Sequence, residues 1–306
     1  MAIAINQKDC ATSIKNLGLA DCIIQNGRVV GKILTSPSWS IDTTSGTLDL
    51  AAVNDLIQDG TFIPVLGAVE AINGTPEAVT EEYQGGVMSV VRNGLPMFTF
   101  KFLKGWGYAR ALYSLNSFQQ YKLLLVHEDG SISGTVNGTT FSGFSLGMLN
   151  TGTYFFTDGS VSGYVNTVVQ MTSTDEFNLN AATIDRSALG FDANQLQPVT
   201  DIVMTGRADA SEGKVYFKAK FAMNQAQNLG GIAIANLKST IEGTADTITA
   251  LSLSYNSATE EWSYEPTATL TAGDTVVVEL VDGVKDVAKI GSRYFKGKTP
   301  TIVTVA

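Results

Sequence analysis

Alternating apolar and polar positions define two well-marked strands. Pro96–Leu103 places phenylalanine at every second position, and Lys214–Ala222 alternates apolar residues with Tyr216, Lys218 and Lys220. A period of two is that of a strand with one buried face. We therefore expect both segments to form sheets, with the two lysines of the second on its solvent side.

Other segments show the same alternation or form short apolar runs between turn residues, which also indicates strands. They are Thr61–Val69 with a break at Pro64, Lys122–His127, Ile132–Val136, Tyr164–Thr172, Thr247–Tyr255, Glu260–Glu265, Thr275–Val281 and Thr301–Val305. Helical spacing of apolar residues is confined to a few places. It predicts the main helix at Tyr108–Tyr121, a shorter one at Asp49–Gln58 capped by Asp49, and a helical turn at Asp175–Ala182.

Residues 70–95 do not fit this scheme of compact strands. The segment holds the turn dipeptides Asn73-Gly74 and Asn93-Gly94, and it carries Glu77, Glu81 and Glu82. Asn-Gly favours tight turns. We expect a long hairpin or extended loop that leaves the rest of the domain and contacts a neighbouring subunit, because long loops in compact domains usually have a function.

The elements predict a mainly β protein with two domains, 1–199 and 200–306. The first is expected to be a β-sandwich or barrel-like body with one principal helix. The second has several short strands at the spacing of an antiparallel sandwich. Leu189–Pro198 is predicted to connect them, and Asn224–Gly231 is the competing position for the boundary.

Composition adds that much of the surface is not highly charged. Hydrophobic residues make up 44% of the 306 residues and charged residues only 16%, below the usual ~25%. One interpretation is that protein, and not water, covers part of the surface. The net charge is −9, with 10 basic and 17 acidic residues in 1–200 and 10 basic and 12 acidic in the remainder. This argues against tight binding to nucleic acid or to anionic membranes.

The number of cysteines and the length of the apolar runs indicate the cellular compartment. Cys10 and Cys22 are too few for a disulfide framework. Met1–Asn6 lacks the features of a secretory signal, and no run approaches the ~18 apolar residues of a membrane span. We expect a protein made and kept in a reducing, soluble compartment.

Catalytic chemistry has one candidate motif, Gly143-Phe144-Ser145-Leu146-Gly147. It matches the nucleophile elbow G-x-S-x-G, in which the serine lies beside a histidine that follows it in the chain. The only histidine, His127, precedes Ser145 and is expected at a strand end, bonded to backbone or water. We interpret the motif as a glycine-rich turn, predict no enzyme activity, and assign no catalytic, cofactor or metal residues.

Tryptophan offers a second possible site. Trp39, Trp106 and Trp262 fit anchors of a core or an interface. A sugar-stacking platform is the alternative, and the sequence leaves both open.

The order of features in residues 1–200 resembles that of bacteriophage tail tube proteins. The resemblance rests on an N-terminal arm, the acidic hairpin-like insertion Glu70–Leu95, the strand Pro96–Leu103, the central helix Tyr108–Tyr121 and the strands that follow. The segment Leu270–Leu280 is similar to the immunoglobulin-like domains that phage virion proteins often carry. The family implies a structural protein of the virion, assembled in the host cytoplasm.

The resemblance also implies the partners. Tail tube proteins form rings, commonly of six subunits, that stack into a tube through which DNA passes without sequence-specific binding, beside other virion proteins. An acidic lumen would suit the negative charge of residues 1–200. A capsid decoration or head-associated protein is the alternative within phage structure, and a carbohydrate-binding surface module is a further one.

Overall fold

A computed structural model describes residue 3 and residues 27–84, 86–246, 248, 252–283 and 285–305. The predictions for Cys10, Cys22 and the N-terminal arm lie outside these residues. The chain divides into two compact units, Met1–Leu196 and Gln197–Ala306, which we call the first and second unit. Among these residues, strands account for 49% and helices for 12%. The predicted mainly β class is therefore confirmed.

The strands of the first unit make one large curled sheet and a separate pair. They are β1 Val29–Thr35, β2 Ile41–Asp42, β3 Phe62–Leu66, β4 Glu70–Asn73, β5 Val79–Tyr83, β6 Val87–Arg92, β7 Met97–Phe102, β8 Ser117–Phe118, β9 Lys122–His127, β10 Ile132–Asn137, β11 Thr140–Ser142, β12 Phe144–Thr151, β13 Val165–Met171 and β14 Ala181–Ile184. The large sheet runs β2-β11-β10-β9-β12-β13-β7-β4, with β1 paired to β9 and β3, β8 to β12, and β14 to β10. Strands β5 and β6 pair only with each other among the described strands.

A core rich in phenylalanine holds the first unit together. Phe98, Phe100 and Phe102 alternate into it from β7, as the spacing predicted. Phe144 and residues of β9 and β13 complete this cluster. Strand β9 pairs with β1, β10 and β12 and is buried on both faces from Leu123 to His127. A strand in that position reads as a continuous apolar run and not as an alternation.

Four α-helices lie in the described part of this unit. They are α1 Leu50–Gln58, α2 Trp106–Tyr113, α3 Thr174–Asn178 and α4 Arg186–Leu189. Asp49 caps α1 by accepting a 2.9 Å hydrogen bond from the Ala52 backbone N–H, as predicted. The prediction of a main helix extending to Tyr121 was wrong, since α2 ends at Tyr113 and α1 is no shorter. The Ser114 hydroxyl bonds the Ala111 carbonyl, and such polar side chains compete with helical backbone bonds.

Two further expectations about the first unit need correction. Pro64 does not break its strand, because β3 pairs only with β1 among the described strands and an edge tolerates a missing N–H. The predicted connector Leu189–Pro198 contains the division between the units, but its residues up to Leu196 are structured parts of the first unit. It contains a 3-10 turn at Ala193–Gln195, and Leu189, Ala193 and Leu196 are buried.

The second unit is a mostly antiparallel β structure with its own core. Its strands are β15 Val199–Asp209, β16 Lys214–Phe221, β17 Asn224–Asn228, β18 Leu237–Ile241, β19 Thr244–Asp246, β20 Ser254–Asn256, β21 Glu261–Tyr264, β22 Thr275–Leu280, β23 Ala288–Ile290, β24 Arg293–Lys296 and β25 Ile302–Val305. A single 3-10 turn, Ile234–Asn236, precedes β18 in the described part. The order is β19-β18-β22-β25-β15-β16-β21-β20, with β24 beside β15, β23 beside β24 and β17 beside β16.

The alternation of β16 is confirmed, but three other details of this unit differ from prediction. Strand β15 pairs parallel with both β24 and β25, so the unit is not purely antiparallel. Tyr255, the last residue of the predicted strand Thr247–Tyr255, lies instead inside the short strand β20 and is exposed. Lys218 and Lys220 are half-buried and not exposed, and the Lys220 ammonium pairs with Glu260 at 2.8 Å. Residues 247 and 249–251 of the predicted strand Thr247–Tyr255 lie outside the described residues.

Helices long and apolar enough to cross a membrane do not occur in the described part of the chain.

Candidate assembly surface

Strands β5 and β6 form a hairpin that no other described strand extends, and we call residues 79–92 the arm. Every described side chain of β5 is exposed, and so are those of β6. Thr80 lies opposite Val90, and Glu82 lies opposite Met88. A two-stranded hairpin alone is at best marginally stable in water, since it has no core. The arm therefore has the features of a segment that another surface stabilises.

The arm exposes both apolar and acidic side chains. Val79, Tyr83, Met88, Val90 and Val91 are all 45–64% exposed. Glu77, Glu81 and Glu82 are exposed as well, as the sequence predicted. Residues 70–95 contain four glutamates and a single arginine, so the segment carries a net charge of −3.

The neck of the arm is a fixed structure. Asn73 accepts hydrogen bonds from both the backbone N–H and the hydroxyl of Thr75, at 3.0 and 2.6 Å. That hydroxyl oxygen accepts from the Met97 N–H at 3.1 Å, which joins the outgoing chain to the returning one. The two Asn-Gly dipeptides thus flank the neck, and the hairpin closes instead where the Gly86 N–H donates to the Tyr83 carbonyl at 3.1 Å.

Gly94 packs directly against the opposite chain at this neck. A Cβ at this position would lie 1.8 Å from the carbonyl oxygen of Pro76. Real Cβ atoms do not approach an oxygen so closely, so the two chains can cross here only with glycine. The direction in which the arm leaves the sheet is consequently set by backbone packing.

A second exposed surface lies on α2, where Trp106, Arg110 and Tyr113 are spaced by four and three residues. Positions at this spacing share one face of a helix. The adjoining face of the helix buries Ala109 and Leu112 in the core. Trp106 is 67% and Tyr113 64% exposed, which is unusual for large aromatic side chains. With Lys104 and Phe156 they form what we call the aromatic–basic patch.

Phe156 belongs to the loop between β12 and β13 and extends this patch. Its ring lies 5.9 Å from that of Trp106 and 5.3 Å from that of Tyr154, both edge-to-face. Phe156 is itself 71% exposed. The loop is closed by paired backbone bonds between Phe155 and Tyr164. Exposed aromatic clusters of this kind mark binding surfaces.

The two cations of the patch make no ion pair with a described carboxylate. The Lys104 ammonium lies 4.4 Å from the centroid of the Tyr108 ring, and its long contact to the Leu66 carbonyl is 3.5 Å. Partial burial lowers the pKa of Lys104. Arg110 is exposed on the helix. Asp158, on the same loop as Phe156, binds the backbone N–H groups of Ser160 and Val161.

The three tryptophans divide between core and surface. Trp39 is buried with its ring 4.6 Å from that of Phe62. Trp262 is buried and donates its indole N–H to the Leu229 carbonyl at 3.3 Å. Trp106 is the exposed one.

Ser145 and His127 lie in separate hydrogen-bond networks. The Ser145 hydroxyl and backbone N–H both donate to the Glu176 carboxylate, at 2.8 and 2.7 Å. His127 is buried, with Nδ1 2.8 Å from the Gly27 carbonyl and Nε2 2.7 Å from the Ser133 hydroxyl. Its expected place at a strand end, satisfied by backbone, is confirmed. Ser145 thus fastens β12 to α3, and these bonds do not involve the imidazole.

A buried lysine was not anticipated as a special residue. Lys32 is fully buried in β1, its Nζ has no hydrogen-bond partner among the described residues, and it lies 4.7 Å from the centroid of the Phe100 ring. Burial holds the pKa of Lys32 well below its usual range. The signal was its position within the apolar run Val29–Leu34, which indicates a strand buried on both faces.

Groups of three or more metal-ligating side chains do not occur among the residues that the structure describes. No protein-family model matches the chain, and no curated protein sequence matches it.

Proposed function

We propose that this chain is a non-enzymatic structural protein of a phage virion that assembles with copies of itself into stacked rings, forming a tail tube for DNA passage. The observation that carries the self-assembly is the arm: a hairpin without a core, apolar on both faces, projecting from a rigid neck. A surface of this kind is stabilised when a partner covers it. The low content of charged residues supports the same interpretation.

The tail tube is the form of assembly that the order of elements supports. An acidic hairpin insertion, a phenylalanine-alternating strand and a following helix occur in the order that the resemblance requires. The excess of acidic residues in 1–200 suits a channel along which DNA slides without binding. The second unit is proposed as an immunoglobulin-like appendage of the virion protein.

Electron microscopy of the purified full chain tests this proposal directly. We expect negatively stained rings or tubes with a central channel, which become more abundant as protein concentration rises. A protein that stays monomeric at every concentration contradicts self-assembly. Closed oligomers that never stack would favour the alternative of a decoration or head-associated protein.

Absence of hydrolase activity at Ser145 is part of the proposal. A serine nucleophile needs a base that takes its proton and donors that stabilise the oxyanion. Here both polar hydrogens of Ser145 are held by Glu176 in a structural clamp. We expect a fluorophosphonate probe to leave the protein unlabelled and Ser145→Ala to assemble normally. Stoichiometric labelling that the Ser145→Ala variant abolishes would contradict the proposal.

A further inference from the structure

The arm and the aromatic–basic patch are complementary in composition. The arm presents apolar side chains between glutamates, and residues 70–95 have a net charge of −3. The patch presents three exposed aromatic rings between Lys104 and Arg110, with Asp158 as the neighbouring acid. Aromatic residues and arginine are the side chains that contribute most often to protein interfaces. Opposite charges on the two surfaces favour their encounter.

The topology places these two surfaces at opposite ends of one strand. The arm leaves and rejoins the sheet at Met97, where β7 begins. The patch begins just after Phe102, where β7 ends. Six strand residues separate these ends by roughly 20 Å. Because the neck fixes the arm at the far end, the surface that faces it comes more readily from another copy.

We propose that the arm of one copy docks on the aromatic–basic patch of the next, so that copies join head to tail. This rests on the self-assembly proposed above, and it names the surface that receives the arm. Two different surfaces meet in such a contact, so an open assembly of any length keeps one free arm at one end and one free patch at the other. Repetition then closes a ring or continues as a filament.

The contact would cover the exposed apolar side chains of the isolated chain and would give Lys104 a carboxylate partner. Docking covers the apolar side chains of the arm and the rings of Trp106, Tyr113 and Phe156. It also brings Glu81 or Glu82 near Lys104, whose ammonium is partly desolvated and has no described carboxylate partner. A charge that is already partly desolvated costs less to bring into an interface.

Two variants, each lacking one of the two surfaces, provide the decisive experiment. In the first, residues 79–92 are replaced by two glycines, so the copy has a patch but no arm. In the second, Trp106→Ser is combined with Arg110→Glu, so the copy has an arm but a defective patch. Each variant alone should remain monomeric, whereas an equimolar mixture should form a 1:1 complex and stop there. Light scattering coupled to size exclusion measures the masses.

Each outcome separates this inference from the proposed function. Failure of the unaltered chain to assemble overturns the proposed function itself. Normal assembly of the patch variant, while the armless variant is monomeric, would retain self-assembly and reject the patch as the receptor. Two monomeric variants that form no complex on mixing would show that arm and patch do not meet.

Matched controls distinguish a variant that no longer docks from one that no longer folds. Leu179→Ser removes an apolar side chain that is 68% exposed outside the arm and the patch, and it should assemble like the unaltered chain. Circular dichroism should show unchanged spectra for all variants.

A charge exchange between the two surfaces tests the pairing by restored assembly. Copies with Glu81→Lys and Glu82→Lys should assemble only when they are mixed with copies that carry Lys104→Glu and Arg110→Glu. Failure of this rescue counts against the pairing.

Discussion

The two units differ in whether the charged side chains on the surfaces compared here have described ion partners. On the outer face of β16, Lys220 pairs with Glu260 at 2.8 Å, and Arg207 lies over the Tyr216 ring at 3.7 Å while contacting Glu261. In the first unit, the arm and the patch expose large apolar groups beside charges without a described ion pair. The second unit satisfies its outer face within its own chain. The first unit exposes the two surfaces that we propose a second copy covers.

The difference separates folding from assembly. Each unit buries a core of its own, so neither needs its exposed surface to fold. Apolar side chains on an arm contribute nothing to the core and carry a risk of non-specific association. We therefore expect assembly to be a property of the first unit, which carries both the arm and the patch, and the predictions below test that expectation.

Truncation has the largest expected effect. Residues 1–196 should form the same particles as the full chain, because the arm and the patch both lie in this unit. Residues 197–306 should remain monomeric, because the ions of its outer sheet face are already paired. Light scattering and electron microscopy measure both. A folded but monomeric 1–196 would mean that the second unit belongs to the wall of the assembly.

The neck provides a more selective test through Gly94→Ala. The added Cβ would collide with the Pro76 carbonyl, so the arm must change direction while the core stays intact. We expect the concentration needed for assembly to rise about tenfold or more, which corresponds to roughly 1.4 kcal/mol of lost contact energy. Gly230→Ala is the control, since nothing lies within 4 Å of that position. Equal assembly of both variants would show that the direction of the arm is unimportant.

The sequence predicts the strands and the arm better than it predicts the patch. Strict alternation identified β7 and β16 because each has one buried face. The long strand β15 was not recognised, because its pattern mixes exposed Thr and Gly with buried Ile and Met. Its parallel partners, β24 and β25, are distant in the chain, and local periodicity contains no information about such pairing.

The patch escaped prediction for a related reason. Helical spacing predicted a helix in Tyr108–Tyr121, but it gives no indication that Trp106 precedes it on the same helix and faces solvent. Phe156 reaches Trp106 only through the fold, since fifty residues separate them in the chain. The arm, in contrast, is local: its turns, its acids and its strands are contiguous, so the sequence alone revealed it.

Substitution of Lys32 should change the stability of the first unit without changing its assembly. Lys32→Met removes a buried amine without a partner, and we expect the unfolding free energy to increase by about 1–3 kcal/mol. The folded pKa is below the unfolded value of 10.5, so the unfolded chain binds more protons between these values. Stability of the unaltered unit should therefore rise as pH increases through that window, and the variant should lose most of this slope.

The measurement is chemical denaturation of residues 1–196 from pH 7 to about pH 10. Above that range Tyr108 opposes the trend, because burial raises its pKa to about 12 and its unfolded form ionises first. Lys104 contributes in the same direction as Lys32, so a small slope should persist. Assembly at neutral pH should not change. A destabilised Lys32→Met would mean that the amine has a favourable partner.

The smallest expected effects come from two lysines that differ only in their surroundings. Lys220→Ala removes a surface pair with Glu260, and such pairs contribute little, so Tm should shift by no more than about 2 °C and assembly should be unchanged. Lys104→Ala should also leave Tm within that range, because its charge has no described ion pair. It should nevertheless weaken assembly, and it should reduce the loss of assembly that added salt causes, since screening acts on charges that meet across the contact. Calorimetry and light scattering between about 50 mM and 500 mM salt measure the two responses. If Lys220→Ala and Lys104→Ala have the same effects on Tm and on assembly, then the presence of an ion partner does not distinguish the second unit from the assembling first unit.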